Sequence, residues 1–322
     1  MRALRVIELT GPEGLRLDDV PEPASDGGLL IEVHAVGVSY PDLLRTQGLY
    51  QEKRDLPYTF GDEAAGVVLS APSGSGFAPG DRVAGWARGA AAERAVGPVD
   101  AFVHLPATLD FRSGAALMLN YETAILALEI RGRARAGDTV LVHGAAGGTG
   151  TAALQVAKAL GARTIAVVSS DAKEAIARRA GADEVIRSDG PWKDDALRLT
   201  AGRGVDLVFD PVGGDRMIDT IRALAVGGRW VVIGFVGGSV PQIPANRLLF
   251  RNVDVVGSYL GGFIAALPDG RKRVDRRLNE LLAAGHLTPI VGRVHELADG
   301  AEALRDLAER RAMGKVVITV RQ

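Results

Sequence analysis

Short apolar runs separated by turn residues dominate the first third of this chain. Leu29–Val38 (LLIEVHAVGV) and residues 63–69 (EAAGVVL) are rich in strand formers. A loop of Pro72, Ser73, Gly74, Ser75 and Gly76 follows, and Pro79-Gly80-Asp81 turns the chain into Arg82-Val83-Ala84. Strands at such intervals predict a small barrel-like or sandwich domain. The rhythm then changes. Residues 139–142 form an apolar strand, a glycine loop follows, and the next segment places Ala153, Val156, Ala157 and Leu160 on one helical face before Gly161. A strand at 164–168 and a helix at 172–180, stopped by Gly181, repeat the unit. Further strands are expected at 184–186, 206–209, 229–233 and 253–256, with helices such as 216–224 between them. Apolar strands alternating with helices predict a parallel sheet covered on both faces, and six of them fit a doubly wound dinucleotide fold.

From about Gly262 the pattern is mixed. Amphipathic helices are expected at 276–284 and 301–310, and a closing strand at 315–320 (KVVITV) has no helix after it, so it is expected to rejoin the first domain's sheet. The fold class is therefore α/β: a six-stranded parallel Rossmann domain, 119–261, inserted in a β-rich, barrel-like catalytic domain made of 1–118 and 262–322.

Composition narrows the function. The 322 residues are 47% hydrophobic and 24% charged, with a formal net charge of -1. That balance gives no general attraction to nucleic acid or to an anionic membrane. Basic runs such as Arg271-Lys272-Arg273 lie beside acids such as Asp275 and read as solvated helix faces. With no cysteine, disulfides, thiol nucleophiles and thiolate-held zinc are excluded. No signal-type apolar core and no run of the ~18 apolar residues a membrane helix needs is found, so a cytoplasmic protein is expected.

The strongest chemical signal is residues 141–150, LVHGAAGGTG, between a strand and a helix. Glycines there let the backbone approach a pyrophosphate, whose charge meets the helix N-terminal N–H groups. The fingerprint G-x-G-x-x-G/A fits Gly148, Gly150 and Ala153, or, in a second register, Ala145, Gly147 and Gly150; Thr149 lies inside both. Cofactor choice is read after the next strand. Ser169 stands where an acidic residue would bind a free ribose 2′-OH, Ser170 follows, and Lys173 lies one short turn on. Two hydroxyls and a cation suit a 2′-phosphate, hence NADPH. Asp171 is read as the cap of the following helix.

These residues, with others in order along nearly the whole chain, resemble the quinone oxidoreductase branch of the medium-chain dehydrogenase/reductase superfamily. Val38-Ser39-Tyr40-Pro41-Asp42 with Arg45, Gly48, Leu49 and Tyr50 is similar to that branch's N-terminal segment. PYTFGDEAAGVV at 57–68, the GDRV turn at 80–83, GVDLVFDPVGG at 204–214, NRLLFRNVDVVG at 246–257 and GKVV at 314–317 continue the likeness. The resemblance implies that Tyr40 and Ser39 stand near the nicotinamide as catalytic candidates, with Tyr50 and Tyr121 behind them. It also implies that Thr123, Gly234, Phe235, Tyr259 and Lys315 contact the cofactor, and that Asp42 organises the cofactor-side loop through backbone hydrogen bonds. A homodimer through the sheet edge near Val253 and Val256 is implied as well.

Departures matter. Zinc-dependent relatives use two cysteines and the His of a G-H-E motif, whereas this chain has Gly61-Asp62-Glu63. Its five histidines are scattered and read as satisfied core or surface residues. Without a Lewis acid, the expected acceptor is already electron-poor, a quinone or a conjugated carbonyl. An enone or enoyl reductase is the nearest alternative, and a non-catalytic NADPH- or RNA-binding protein a more distant one.

Overall fold

The structure, a computed structural model, describes residues Met1–Arg321. The chain divides into two compact units, Met1–Leu119 with the chain from Pro289 onward, and Asn120–Thr288. The second boundary differs from the one expected at 261/262. The helices Leu260–Ala266 and Gly270–Ala283 belong to the central unit. Val274, Leu278 and Leu281 are buried there, and Arg277 Nε donates to Glu129 at 2.7 Å. Residues 262–288 read as mixed in sequence because only one stripe of the longer helix is apolar.

The central unit holds six parallel strands: β1 Thr139–His143, β2 Arg163–Val168, β3 Glu184–Arg187, β4 Val205–Asp210, β5 Leu224–Val232 and β6 Asp254–Gly257. They lie in the order β3-β2-β1-β4-β5-β6, the doubly wound arrangement. Every residue of β1 is buried, as are the last five of β2, which is why their sequences are apolar throughout instead of alternating. Leu141, Val167, Trp192, Val208 and Trp230 share one core cluster. Each such side chain contributes roughly 1.5–3 kcal/mol on burial. Helix α1 (Gly148–Ala159) follows β1, and α2 (Asp171–Arg179) follows β2. Strand β6 pairs only with β5 and forms one edge of the sheet.

The other unit is β-rich. Leu29–Val38 is its axis, pairing antiparallel with Glu63–Ser70 on one side. On its other side the same strand pairs with Arg94–Gly97 through residues 29–32 and with Lys315–Thr319 through residues 35–38. The closing strand thus rejoins the first sheet. Arg82–Trp86 and Phe102–His104 extend that sheet past Glu63–Ser70, and Val291–Glu296 adds parallel to Lys315–Thr319. A separate three-stranded sheet joins Leu15–Asp19, Arg2–Val6 and Tyr58–Thr59. Val33, Val36, Phe60, Val316 and Ile318 share its core.

Candidate functional site

Strands β1, β2, β4, β5 and β6 run parallel, so the residues after them share the sheet's carboxyl edge, where nucleotides bind in open α/β sheets. The glycine loop, Ser169, Ser170, Gly234, Phe235, Ser258 and Tyr259 all follow strand ends there. Phe235 and Tyr259 are large rings left 37% and 51% exposed.

Within the glycine loop the backbone bears on the two registers. Gly147 is the N-cap of α1 with extended backbone, so the N–H groups of Gly148, Thr149 and Gly150 have no intrahelical acceptor. A Cβ on Gly150 would stand 2.2 Å from the Gly144 carbonyl oxygen and 2.8 Å from the Ala145 Cα. Gly150 therefore has the close backbone approach that the third place of the fingerprint requires, which fits the register Ala145, Gly147, Gly150. Asn120 is a residue the sequence reasoning missed. Its side chain lies against Gly148, and the Thr149 hydroxyl is 3.4 Å from its Oδ1. Thr123 lies one turn further along the same helix, Met118–Ile125, and is buried.

At the end of β2 the cap expected of Asp171 belongs to Ser170, whose Oγ accepts from the Lys173 N–H at 3.3 Å. Ser170 has the extended backbone of an N-cap; Asp171 is the first helical residue, and both side chains are good caps in sequence. Lys173 Nζ donates to Ser169 Oγ at 3.2 Å. Arg187, at the end of β3 and in register with Val168, donates to the Ser169 carbonyl at 3.0 Å and to Asp171 Oδ1 at 2.6 Å. Sequence reasoning missed Arg187 because only the pairing of β3 with β2 brings it there.

The β-rich unit carries a second cluster. Lys315, on the closing strand, is buried, and its Nζ donates to Ser39 Oγ at 2.7 Å and to Glu63 Oε2 at 2.5 Å. Glu63 Oε1 also accepts from the Leu119 N–H at 3.2 Å. Room for this ion pair depends on Gly37, where a Cβ would lie 2.1 Å from the Ala115 carbonyl oxygen and 2.7 Å from both Glu63 Oε2 and Lys315 Cε. Asp42 is buried as well. One oxygen accepts from the Ser39 N–H at 2.8 Å and the other from Arg45 at 3.0 Å. Arg45 is shared with Asp62, which also takes two bonds from Arg54 at 2.9 Å. Burial, then the neighbouring Asp62 carboxylate, pushes Asp42 up to about 6 against the pull of Arg45 and Lys315.

One cofactor-side expectation changes in consequence. Lys315 is not a free reaching cation but a buried partner of Ser39 and Glu63. Asp42 takes the backbone hydrogen bond from Ser39 expected of a residue that orders this loop, with Arg45 on its other oxygen. The Tyr40 ring packs against the core of the β-rich unit. The Tyr121 hydroxyl donates to Gln155 Oε1 at 2.8 Å, and burial holds its proton on more tightly than usual. Tyr50 lies beneath the Arg45 guanidinium, 5.0 Å from the ring centroid. His143 departs from the expectation of satisfied histidines: it is fully buried, and neither ring nitrogen has a hydrogen-bond partner.

Two stretches match known domain families. Residues 25–107 match the alcohol dehydrogenase GroES-like domain and residues 148–276 the zinc-binding dehydrogenase domain. The chain is 36% identical over 326 residues to quinone oxidoreductase-like protein 2 of Bos taurus, covering 99% of this chain and 93% of that one. The chain belongs to the quinone oxidoreductase branch of the medium-chain dehydrogenase/reductase family. The chain is similar to a mycobacterial protein solved in complex with NADPH, with a TM-score of 0.89, 32% identity, and 99% and 100% of the two chains covered. The quinone oxidoreductase from Thermus thermophilus, also solved with NADPH, superposes with a TM-score of 0.83 at 34% identity over 99% and 100% of the chains. The chain is an oxidoreductase of this family.

The family's zinc does not suit the residues present. Asp62, in place of the G-H-E histidine, is engaged by Arg45 and Arg54, and Glu63 by Lys315. A dication beside these three fixed cations would be repelled, and the chain has no cysteine to supply a thiolate. Among the described residues no three His, Asp or Glu side chains converge as a metal-holding group, and no helix is long and apolar enough to cross a membrane.

Proposed function

We propose that this protein transfers hydride from NADPH to a quinone or another electron-poor conjugated carbonyl, without a catalytic metal. The observation that carries this reading is the charge arrangement of Gly61-Asp62-Glu63, where arginine and lysine occupy the carboxylates that could otherwise help hold a metal. An acceptor that needs no Lewis acid follows from it.

The bound nucleotide supplies the hydride. Gly148, Thr149 and Gly150 offer backbone N–H groups to its pyrophosphate, beside the N-cap Gly147, while Ser169, Ser170 and Lys173 favour a 2′-phosphate. Phe235 and Tyr259 suit its flat, weakly polar nicotinamide end. Ser39 is the donor we assign to the acceptor's oxygen. Its Oγ already accepts a hydrogen bond from Lys315, so the Ser39 O–H is free to point elsewhere, polarised by the ammonium behind it. Such a donor stabilises the negative charge that grows on oxygen as hydride arrives. A homodimer through β6 is part of the proposal, supported by that strand's open edge and by Leu249 and Phe250, which stand exposed just before it.

Steady-state rates with NADPH and NADH across quinones, enones and simple alcohols, each with and without a chelator, test the reading. Chelator-insensitive oxidation of NADPH by quinones or enones is expected. Chelator-sensitive oxidation of a simple alcohol would overturn it.

A further inference from the structure

We propose that Arg187 and Asp171 form a latch that sets the strength of NADPH selection: Arg187 grips the 2′-phosphate, and Asp171 is the internal anion that the phosphate must displace. This rests on the nucleotide reading above and adds to it both a residue and a competitor.

Three observations place the latch. The residue that follows the second strand of a doubly wound sheet reads the ribose 2′ position, and here it is Ser169. Parallel pairing puts Arg187 opposite Val168, and its guanidinium donates to the Ser169 carbonyl at 3.0 Å. Lys173 Nζ meets the Ser169 hydroxyl from the other element, α2. Two cations therefore converge on the selecting residue. Each has a planar or compact donor set suited to phosphate oxygens, and Arg187 can offer a bidentate fork.

Charge shows why Asp171 matters. Arg187 donates to Asp171 Oδ1 at 2.6 Å and, through Nε, to Asp189 Oδ1 at 3.3 Å. Lys173 and Arg187 are thus balanced by Asp171 and Asp189, and the cluster is neutral. A 2′-phosphate brings close to two negative charges to the same guanidinium. Asp171 makes the shorter contact, and its side chain is 96% exposed. Among the described residues Arg187 is its one side-chain partner, so it swings into water when the phosphate arrives. A free ribose hydroxyl has no charge with which to compete, and leaves the Arg187–Asp171 pair closed. Removing Asp171's charge should therefore tighten NADPH without touching NADH.

Isothermal titration of NADP⁺, NAD⁺ and 2′,5′-ADP into the purified protein reads this directly, with no acceptor present. Arg187→Ala should weaken NADP⁺ and 2′,5′-ADP about tenfold, the loss of one charge-assisted contact of ~1.4 kcal/mol. Asp171→Asn should tighten both threefold or more at low salt, and the gain should vanish in the Arg187→Ala background. NAD⁺ should move less than twofold throughout. Both positions are on the surface, and Ser170 still caps α2. If Asp171→Asn weakens NADP⁺, or shifts NAD⁺ equally, the latch is wrong while the nucleotide reading stands. If the unmodified protein binds neither nucleotide, both fall together.

Discussion

Acidification should pull the two units of this protein in opposite directions, and His143 is the residue through which the central unit feels it. The ring is fully buried with its edge against Trp192, at 4.8 Å between centroids and 85° between planes. Burial pushes it down from 6.5 to about 4, with Asp210 opposing in part. Between those two values the unfolded chain binds a proton that the folded chain refuses, so stability is present above about 6.5 and is lost as pH falls. A shift of that size corresponds to about 3 kcal/mol in full, of which about 2 kcal/mol is lost by pH 5. Asp42 behaves oppositely. Its folded value lies above the unfolded 3.8, at about 6, so the folded chain binds the extra proton between them. Its unit gains about 1 kcal/mol as pH falls to 5. The perturbation is His143→Phe, which keeps a ring beside Trp192 and removes the two unpartnered nitrogens. Urea unfolding at pH 8 and pH 5, followed by tryptophan fluorescence in a Trp86→Phe background so that Trp192 and Trp230 report the central unit, gives the stability loss of each protein. The variant should lose about 2 kcal/mol less than the parent across that interval. Parallel losses in the two proteins, within 0.5 kcal/mol (about the error of such fits), would refute the burial argument.

Three further outcomes follow from the sites. Gly150→Ala puts a Cβ 2.2 Å from the Gly144 carbonyl, so the loop must move; NADP⁺ affinity should fall more than tenfold in a fluorescence titration while the far-ultraviolet circular dichroism is kept. Lys173→Ala should raise the KM for NADPH about tenfold and leave that for NADH nearly unchanged, because one charge-assisted contact to the 2′-phosphate is removed. Lys315→Met strands the buried Glu63 carboxylate and should cost about 3–5 kcal/mol in urea unfolding. Adding Glu63→Gln should recover much of that loss, and failure to recover any would show that the packing around Gly37, and not the charge, is what matters.

Local periodicity carried most of the architecture. The buried strands β1 and β2 are apolar at nearly every position, and glycine or serine marks the ends of α1 and α2, so the doubly wound unit was readable before any coordinate. Two of the misreadings share one cause: the sequence does not display long-range pairing. Arg187 reaches Ser169 only because β3 lies in register beside β2. Ser39, Glu63 and Lys315 are far apart in the chain and meet because their strands or strand ends share one sheet. At Asp171 the difficulty was finer. Ser170 and Asp171 are equally good cap residues, and a one-residue choice depends on backbone angles that composition does not encode. The glycine loop admitted two registers for the same reason, and the close approach at Gly150 fits the second.

The pairing of Leu29–Val38 with Lys315–Thr319 also fixes an order of events on the ribosome. The long strand is made early, but its partner emerges only after the whole central unit has been synthesised, about 15–55 s later at usual elongation rates. During that interval the edge later covered by Lys315–Thr319 is an unpaired apolar ribbon, open to any other strand in reach. The central unit has all its own strands by then and needs no later residue to close its sheet. Newly made chains therefore hold a finished nucleotide fold attached to an unfinished β unit, and the stretch left without its strand partner longest, residues 35–38, lies in the half of the protein that was made first.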